Sequence, residues 1–303
     1  MTLIIKLNGG LGNQLFQLAF GLALADKLKR ELWLDMRGLE HLSRRARATA
    51  RRLELDLYTG LNFLPNRSGN LPREIDILRN SGRSPVHSLA ANITSKRISR
   101  CHYKESRDGN LEDLDTKSRF EKCGLIYAEG YWSSPVFANQ ADETLKNHLQ
   151  ILSPLPKRLA GIEREIRDSD SLAVHIRRGD FVSTARDQHG VLSQRYYWKA
   201  LEALEHTERR VFFFSDDEEW CRAEFSTVAG ATFVSETSGE RPAQHLHLLS
   251  QASRLILSNS SFSWWAAWLS ELDGDKIIRP SLWTRSRDGS GIYPNSWSVL
   301  QAE

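Results

Sequence analysis

The sequence predicts an α/β protein made of two doubly wound units, each built on a parallel sheet, with a cleft between them. Three observations carry that expectation. The chain opens on an apolar strand, a glycine turn, an apolar helix and a second strand in immediate succession. Its second half alternates short apolar runs with helical stretches over short connections. Pro154 and Pro156 stand between the two patterns. Parallel neighbours in a sheet need a crossover, usually a helix, so strict alternation of strand and helix is their signature.

The first unit, 1–153, begins with a strand over Leu3–Leu7, then Gly9-Gly10-Leu11-Gly12, then a helix from about Asn13. Leu15, Leu18, Ala19, Leu22 and Ala23 recur at helical spacing and give that helix an apolar face. Glu31–Asp35 reads as the second strand, which completes the opening of a βαβ layer. From residue 40 to about 120 the periodicity is poor, and a Ser/Asn/Arg-rich stretch from Asn80 to Arg107 suits a region shaped for an acceptor or partner. Leu125–Trp132 reads as a late strand, and the helical stretch Ala141–Leu152 runs into the proline linker. In the second unit, 154–303, strands are expected at Leu172–Ile176, Val211–Phe214, Thr232–Ser235, Leu255–Leu257 and Ile277–Ile278. Helices are expected at Gln194–Leu204, Asp217–Phe225, Pro242–Ala252 and Ser263–Leu272.

With 303 residues and 40% hydrophobic content, the chain can bury two cores. No apolar run approaches the roughly eighteen residues a bilayer span needs. The N-terminus has no cationic leader and reaches glycines at once, so it reads as a strand and not as a signal peptide. Cys101, Cys123 and Cys221 are few and scattered, which fits a reducing, cytoplasmic setting and argues against a disulfide framework. The net charge is +3, yet Lys27–Arg107 holds 18 Lys/Arg against 8 Asp/Glu. That basic half suits an anionic membrane face, a pyrophosphate-linked lipid or nucleic acid, or else merely solvated helix faces. No aromatic residues interleave the cluster Arg44-Arg45, Arg47 and Arg51-Arg52 for base stacking, so no nucleic-acid partner is expected.

The most informative stretch is Val174-His175-Ile176-Arg177-Arg178-Gly179-Asp180, which sets a His, two Arg and an Asp at the end of an expected buried strand. Ligands in open α/β sheets bind beyond the carboxyl ends of strands, and paired guanidiniums there suit a phosphate. The alternative is a surface ion-pair cluster. Ser258-Asn259-Ser260-Ser261-Phe262-Ser263-Trp264-Trp265 offers hydroxyls and backbone N–H groups at a strand-to-helix turn, either as an anion site or as helix capping by Ser261 or Ser263. Trp264, Trp265 and Trp268 read as core on an apolar helix. The glycine turn at Gly9-Gly10-Leu11-Gly12 either approaches a ligand or simply turns the chain; its spacing is not that of the dinucleotide fingerprint. Asp216 or Asp217 caps the following helix, or both hold a metal. His245 and His247 are two apart and diverge on a helix, and no bound metal is expected.

Asn8-Gly9-Gly10-Leu11-Gly12-Asn13-Gln14-Leu15-Phe16-Gln17, His175-Ile176-Arg177-Arg178-Gly179-Asp180, Phe214-Ser215-Asp216-Asp217 and Asn259-Ser260-Ser261-Phe262-Ser263-Trp264-Trp265 occur in that order. Together they resemble glycosyltransferase family 11, the bacterial α-1,2-fucosyltransferases. The resemblance spans the chain and implies a GT-B-like enzyme of two Rossmann-type domains. It implies a first, acceptor-side domain and a second domain that binds the nucleotide sugar. It further implies metal-independent, inverting transfer of fucose from GDP-fucose to the 2-OH of a terminal galactose in a surface glycan precursor of O-antigen or capsule type.

Carried over by residue, the resemblance implies that His175 contacts the guanine nucleotide, Arg177 holds the β-phosphate, and Arg178 supports the diphosphate. Ser260 and Ser261, with Phe262 beside them, meet the donor at the helix start. Gly10, Gly12 and Asn13 face the cleft from the first domain. Asp180 orients the arginines or lies nearer the sugar, and Asp180 or Glu129 is the candidate base. His245 stands where the family pattern carries an acid that in related enzymes contacts guanine. That departure motivates an alternative donor, another GDP-6-deoxyhexose such as GDP-colitose or GDP-rhamnose. The resemblance implies no resident cofactor, an oligosaccharide or lipid-linked oligosaccharide acceptor, and a cytoplasmic enzyme with peripheral contact to an anionic membrane. A Rossmann oxidoreductase would need G-x-G-x-x-G and a later acid, which this chain lacks.

Overall fold

The computed structural model describes residues 1–37, 39, 52–58, 102–105, 120, 123–151, 154–182 and 190–302. Most of the basic stretch Lys27–Arg107, including the segment Asn80–Cys101, lies outside the described residues. The chain divides into two compact units that part at Gln150 and Ile151. Among the described residues, no helix is long and apolar enough to cross a membrane.

In the first unit, β1 (Thr2–Lys6) leads into α1 (Leu11–Leu28) and β2 (Glu31–Asp35). β3 (His102–Lys104) and β4 (Leu125–Glu129) complete a four-stranded parallel sheet in the order β2-β1-β4-β3. α2 (Pro135–Gln140) and α3 (Asp142–His148) follow. The helix α1 begins at Leu11, two residues before the expected Asn13, because Gly10 already serves as its N-cap and accepts from the N–H groups of Asn13 and Gln14. Gly21 lets α1 lie close on the sheet: an added Cβ would stand 2.9 Å from Ile5 and 3.0 Å from Leu32. The strand expected to reach Trp132 stops at Glu129, and Trp132 turns back with φ +49° to stack on Phe20 at 4.1 Å. Where one helix was expected over Ala141–Leu152, α2 and α3 meet at Ala141 and α3 ends by His148.

The second unit starts with α4 (Lys157–Arg167), then β5 (Ser171–Ile176), the single turn α5 (Gly179–Val182) and α6 (Gln194–Ala203). β6 (Arg210–Ser215), α7 (Glu218–Phe225), β7 (Thr232–Val234), α8 (Pro242–Ser250), β8 (Arg254–Ile256), α9 (Ser261–Ser270) and β9 (Ile277–Pro280) continue the alternation. A small antiparallel pair, β10 (Leu282–Thr284) with β11 (Arg287–Asp288), precedes β12 (Ser298–Leu300). The helix α4 was not foreseen, although Leu159, Ile162 and Ile166 form its buried stripe.

The six strands run parallel in the order β12-β9-β8-β5-β6-β7. The chain winds outward from β5 through β6 to β7, then returns to lay β8 on the other side of β5 and winds outward the opposite way. That reversal opens a crevice beyond the carboxyl ends of β5 and β8, where doubly wound sheets take their ligands. The strand β5 is buried at all six residues, as a central parallel strand covered on both faces must be. Tyr196, Tyr197, Phe213 and Phe225 fill the core beside it.

Gly9 sits at φ +79°, and an added Cβ would come within 2.4 Å of the Asn13 amide. Gly9→Ala should therefore lower the unfolding free energy by about 1–2 kcal/mol, read from urea denaturation.

Candidate active site

The crevice is built by register. Ile176 of β5 pairs with Ser215 of β6, so continuing the two strands sets Arg177 beside Asp216 and Arg178 beside Asp217. Both pairs form. Arg177 Nη1 lies 2.7 Å from Asp216 Oδ2, and Arg178 Nε donates to Asp217 Oδ2 at 3.0 Å. The other oxygen of Asp216 accepts the backbone N–H groups of Arg178 (2.8 Å) and Gly179 (3.1 Å). One carboxylate thus shapes the turn and seats the arginine. A Cβ at residue 179 would stand 2.6 Å from Asp216 Oδ2, which explains the glycine.

Asp217 has a different task. It caps α7 by accepting from Trp220 N–H at 3.2 Å, while Trp220 lies under Arg178, 4.0 Å from guanidinium to ring centre. Of Asp216 and Asp217, either of which was expected to cap the helix, Asp217 is the one that does. The ion pairs of the alternative reading are therefore real, and they fix the guanidiniums at the sheet edge.

Across the crevice, β8 ends and Ser258 follows. His175 Nδ1 lies 2.8 Å from Ser258 Oγ, a buried contact that ties the two central strands together. Ser260 is the N-cap of α9 and accepts from Phe262 N–H at 3.3 Å. The helix thus starts at Ser261, and the cap is neither Ser261 nor Ser263 as expected. Phe262 lies against His175, with ring centres 5.1 Å apart. Burial, helped by the nearby charge of Arg177, pulls the His175 imidazolium down to about 3, so the ring is neutral at ordinary pH. Trp264, Trp265 and Trp268 are buried, in keeping with the core reading. Asp180 lies in α5, but its side chain is outside the described residues.

His245 belongs to another cluster. Its Nε2 lies 2.9 Å from Glu240 Oε2, which also accepts from Arg158 Nη2 (2.7 Å) and Thr237 N–H (3.1 Å). Arg158 Nε donates to Glu240 Oε1 at 2.9 Å. Hydrogen bonding from Arg158, only partly opposed by burial, holds the Glu240 carboxyl at about 2. His247 instead meets Glu163 at 2.8 Å, so the two histidines do diverge.

In the first unit, the winding order of the parallel sheet reverses between β1 and β4, and Glu129 ends β4 at that point. Its carboxylate meets Lys6 Nζ at 3.0 Å and His102 Nε2 at 3.1 Å. Burial opposes its charge, but the hydrogen bond from His102 and the Lys6 ammonium prevail and hold it at about 2. Two glutamines of α1, which sequence reasoning passed over, brace the glycine turn. Gln14 donates to Gly9 O and accepts from Glu54 N–H, and Gln17 accepts from Asn8 N–H while donating to Gly130 O. Both are fully buried, and their only sequence signal was an amide on an otherwise apolar face. Gly12 is buried within α1, so of the three residues expected to face a cleft only Gly10 and Asn13 are partly exposed.

A doubly wound sheet carrying cationic groups and a hydroxyl-rich helix start at its reversal defines an α/β protein with a crevice suited to an anionic ligand. The chain belongs to glycosyl transferase family 11, whose model matches residues 2–301. It is 31% identical over 302 residues to an alpha-1,2-colitosyltransferase of Escherichia coli, covering 97% of each chain. It is 29% identical to the O-antigen biosynthesis glycosyltransferase WbnK of Escherichia coli, covering 97% of this chain and 99% of that one. The fold is similar to that of NodZ, an alpha-1,6-fucosyltransferase crystallised with GDP (TM-score 0.55, 18% identity, 88% of this chain and 92% of that one).

A carboxyl held at about 2, against an ordinary 4.5, binds its proton less tightly when folded than when unfolded. Its stabilisation is complete above pH 4.5 and fades as the pH falls towards 2. Glu129→Gln should therefore flatten the fall in unfolding free energy between those pH values, measured by denaturant titration at stepped pH.

Proposed function

We propose that the chain is an inverting α-1,2-glycosyltransferase that moves a 6-deoxyhexose from its GDP-sugar to the 2-OH of a terminal galactose in an O-antigen or capsule precursor. The observation that carries the reading is Arg177, seated by Asp216 at the reversal of the sheet. A fixed guanidinium there can take up the negative charge that develops on the departing diphosphate without reorganising first. Arg178, pinned by Asp217 and Trp220, backs it with a second charge, and the start of α9 at Ser260 and Ser261 adds N–H and hydroxyl donors. In this reading the second domain binds the donor and the first domain the acceptor, and these donors carry the leaving group without a metal ion.

Fucose is the first donor considered. A specific observation favours colitose as the second: a relative of 31% identity over 97% of both chains is a colitosyltransferase. Inversion requires a group to accept the acceptor's hydroxyl proton. Glu129, held at about 2 by Lys6 and His102, is a weak proton acceptor at neutral pH, which favours Asp180 for that role. The enzyme works in the cytoplasm, where the basic half of the first domain meets an anionic membrane or the acceptor's pyrophosphate.

Purified protein in EDTA should transfer sugar from one member of a GDP-fucose, GDP-colitose and GDP-rhamnose panel to a β-galactoside. Turnover with none of them would reject the reading. Arg177→Ala should lower turnover on the order of 10²–10³-fold while the unfolding temperature stays within a few degrees, checked by mass spectrometry of the product and by thermal melts.

A further inference from the structure

A cluster in the first unit lies where the winding of its sheet reverses. Lys6 ends β1 and Glu129 ends β4, and the register that pairs Ile4 with Tyr127 brings them side by side. One oxygen of Glu129 meets Lys6 Nζ at 3.0 Å, and the other meets His102 Nε2 at 3.1 Å. His102 starts β3 opposite Tyr127 and reaches forward to that oxygen, with its ring 5.7 Å from the Tyr127 ring. Tyr127 is itself fixed, since its hydroxyl donates to the buried Asp35 at 2.9 Å. The Glu129 carboxylate is ionised at neutral pH and can only accept. The proton of a neutral His102 ring therefore sits on Nε2, and the lone pair sits on Nδ1. That nitrogen has no hydrogen-bond partner among the described residues, and it is not one of their buried atoms. A structural ion pair needs Nε2 alone. It leaves unexplained why Lys6, Glu129 and His102, with side chains 16–26% exposed, are fixed together at the place where open sheets take ligands.

We propose that His102 is a binding residue for the acceptor sugar: Glu129 holds its ring by Nε2, and Nδ1 accepts a hydrogen bond from a sugar hydroxyl. The proposal rests on the reading that the first domain takes the acceptor, and it gives that domain a named contact. A sugar is a neutral ligand dense in O–H groups, so a fixed, uncharged acceptor suits it. An ionised phosphate has no proton to offer and gains nothing there. Lys6 and Glu129 neutralise each other, so the cluster is polar without drawing anions. Glu129 is then a positioning residue, a task that needs its charge and not a proton.

The test uses the full-length protein, with methyl β-galactoside as the acceptor probe. A glutamine separates the two ring nitrogens, because its amide N–H can keep the bond to Glu129 while nothing stands in the place of Nδ1. His102→Gln should therefore leave the unfolding temperature and the donor KM unchanged and raise the acceptor KM about tenfold, the scale of one lost hydrogen bond. Glu129→Ala frees the ring and should raise the same KM. The double variant should be no worse than His102→Gln alone, since Glu129 acts on the sugar only through that ring. Long-range ¹H–¹⁵N spectra of histidine-labelled protein, assigned with His102→Gln, should show Nε2–H and a bare Nδ1 at mildly alkaline pH. The Nδ1 signal should move as the galactoside is added. An Nδ1–H signal in the free protein, or a glutamine variant that keeps the wild-type acceptor KM, would overturn the proposal. If no GDP-sugar is turned over, the transferase reading fails on its own, and the galactoside titration of the wild-type Nδ1 signal decides this one: an unmoved signal rejects the contact. The same titration decides it if His102→Gln does not fold.

Discussion

The parallel register of β5 against β6 is the constraint on which the rest of the site depends. With Ile176 opposite Ser215, the next two steps of each strand leave the sheet carrying two arginines on one side and two aspartates on the other. A slip of one residue would pair Arg177 with Ser215 or Asp217 and leave the Arg178 and Gly179 amides without the Asp216 carboxylate they share. Register in a parallel pair is itself set by burial. All six residues of β5 and the Phe212-Phe213-Phe214 run of β6 are locked between helices, so the hydrophobic core aligns the charges.

The polar groups show how charge is kept useful at such an edge. Each arginine is neutralised by a carboxylate already held by backbone N–H groups. The guanidiniums are therefore oriented before any ligand arrives, and they do not wander across the surface. On the other side of the crevice the arrangement is neutral: His175, Ser258 and Ser263 exchange hydrogen bonds without a formal charge. The crevice thus has a cationic wall beyond β5 and β6 and an uncharged hydroxyl wall at β8 and α9. A ligand with an anionic part and a polar, uncharged part matches that division, as a nucleoside diphosphate does.

Much of this was legible in the sequence. The alternation of apolar runs and helical stretches gave both parallel sheets, because fully buried strands and amphipathic helices leave different periodicities. The end of β5 and the start of α9 were readable for the same reason, since in both an apolar run stops at a cluster of polar residues. The pairing of Arg177 with Asp216 was not read, although Ile-Arg-Arg and Ser-Asp-Asp end two strands that become neighbours. Strand order depends on which face each crossover helix covers, and no local pattern reports that. The bracing roles of Gln14 and Gln17 stayed hidden too, since their partners Gly130 and Glu54 lie far along the chain. The short strands β3 and β12 were missed because His-Tyr-Lys holds no apolar run and Ser-Val-Leu lies largely exposed at the sheet's edge, whereas the equally short β7 and β8 sit in apolar runs.

His245 bears on how the donor is read. A carboxylate serving as a reader of guanine must keep free lone pairs towards the ligand. Here the residue at that position is a histidine whose Nε2 faces Glu240, and Glu240 Oε2 already accepts three hydrogen bonds, two of them from Arg158 and Thr237. That acid, five residues earlier in the chain, ties α4 to the loop before α8. Its low affinity for protons is the mark of a satisfied structural anion, since each donor that stabilises the charge also occupies a site where a ligand would bind. In the proposed reading, recognition of the base therefore draws on groups outside this cluster.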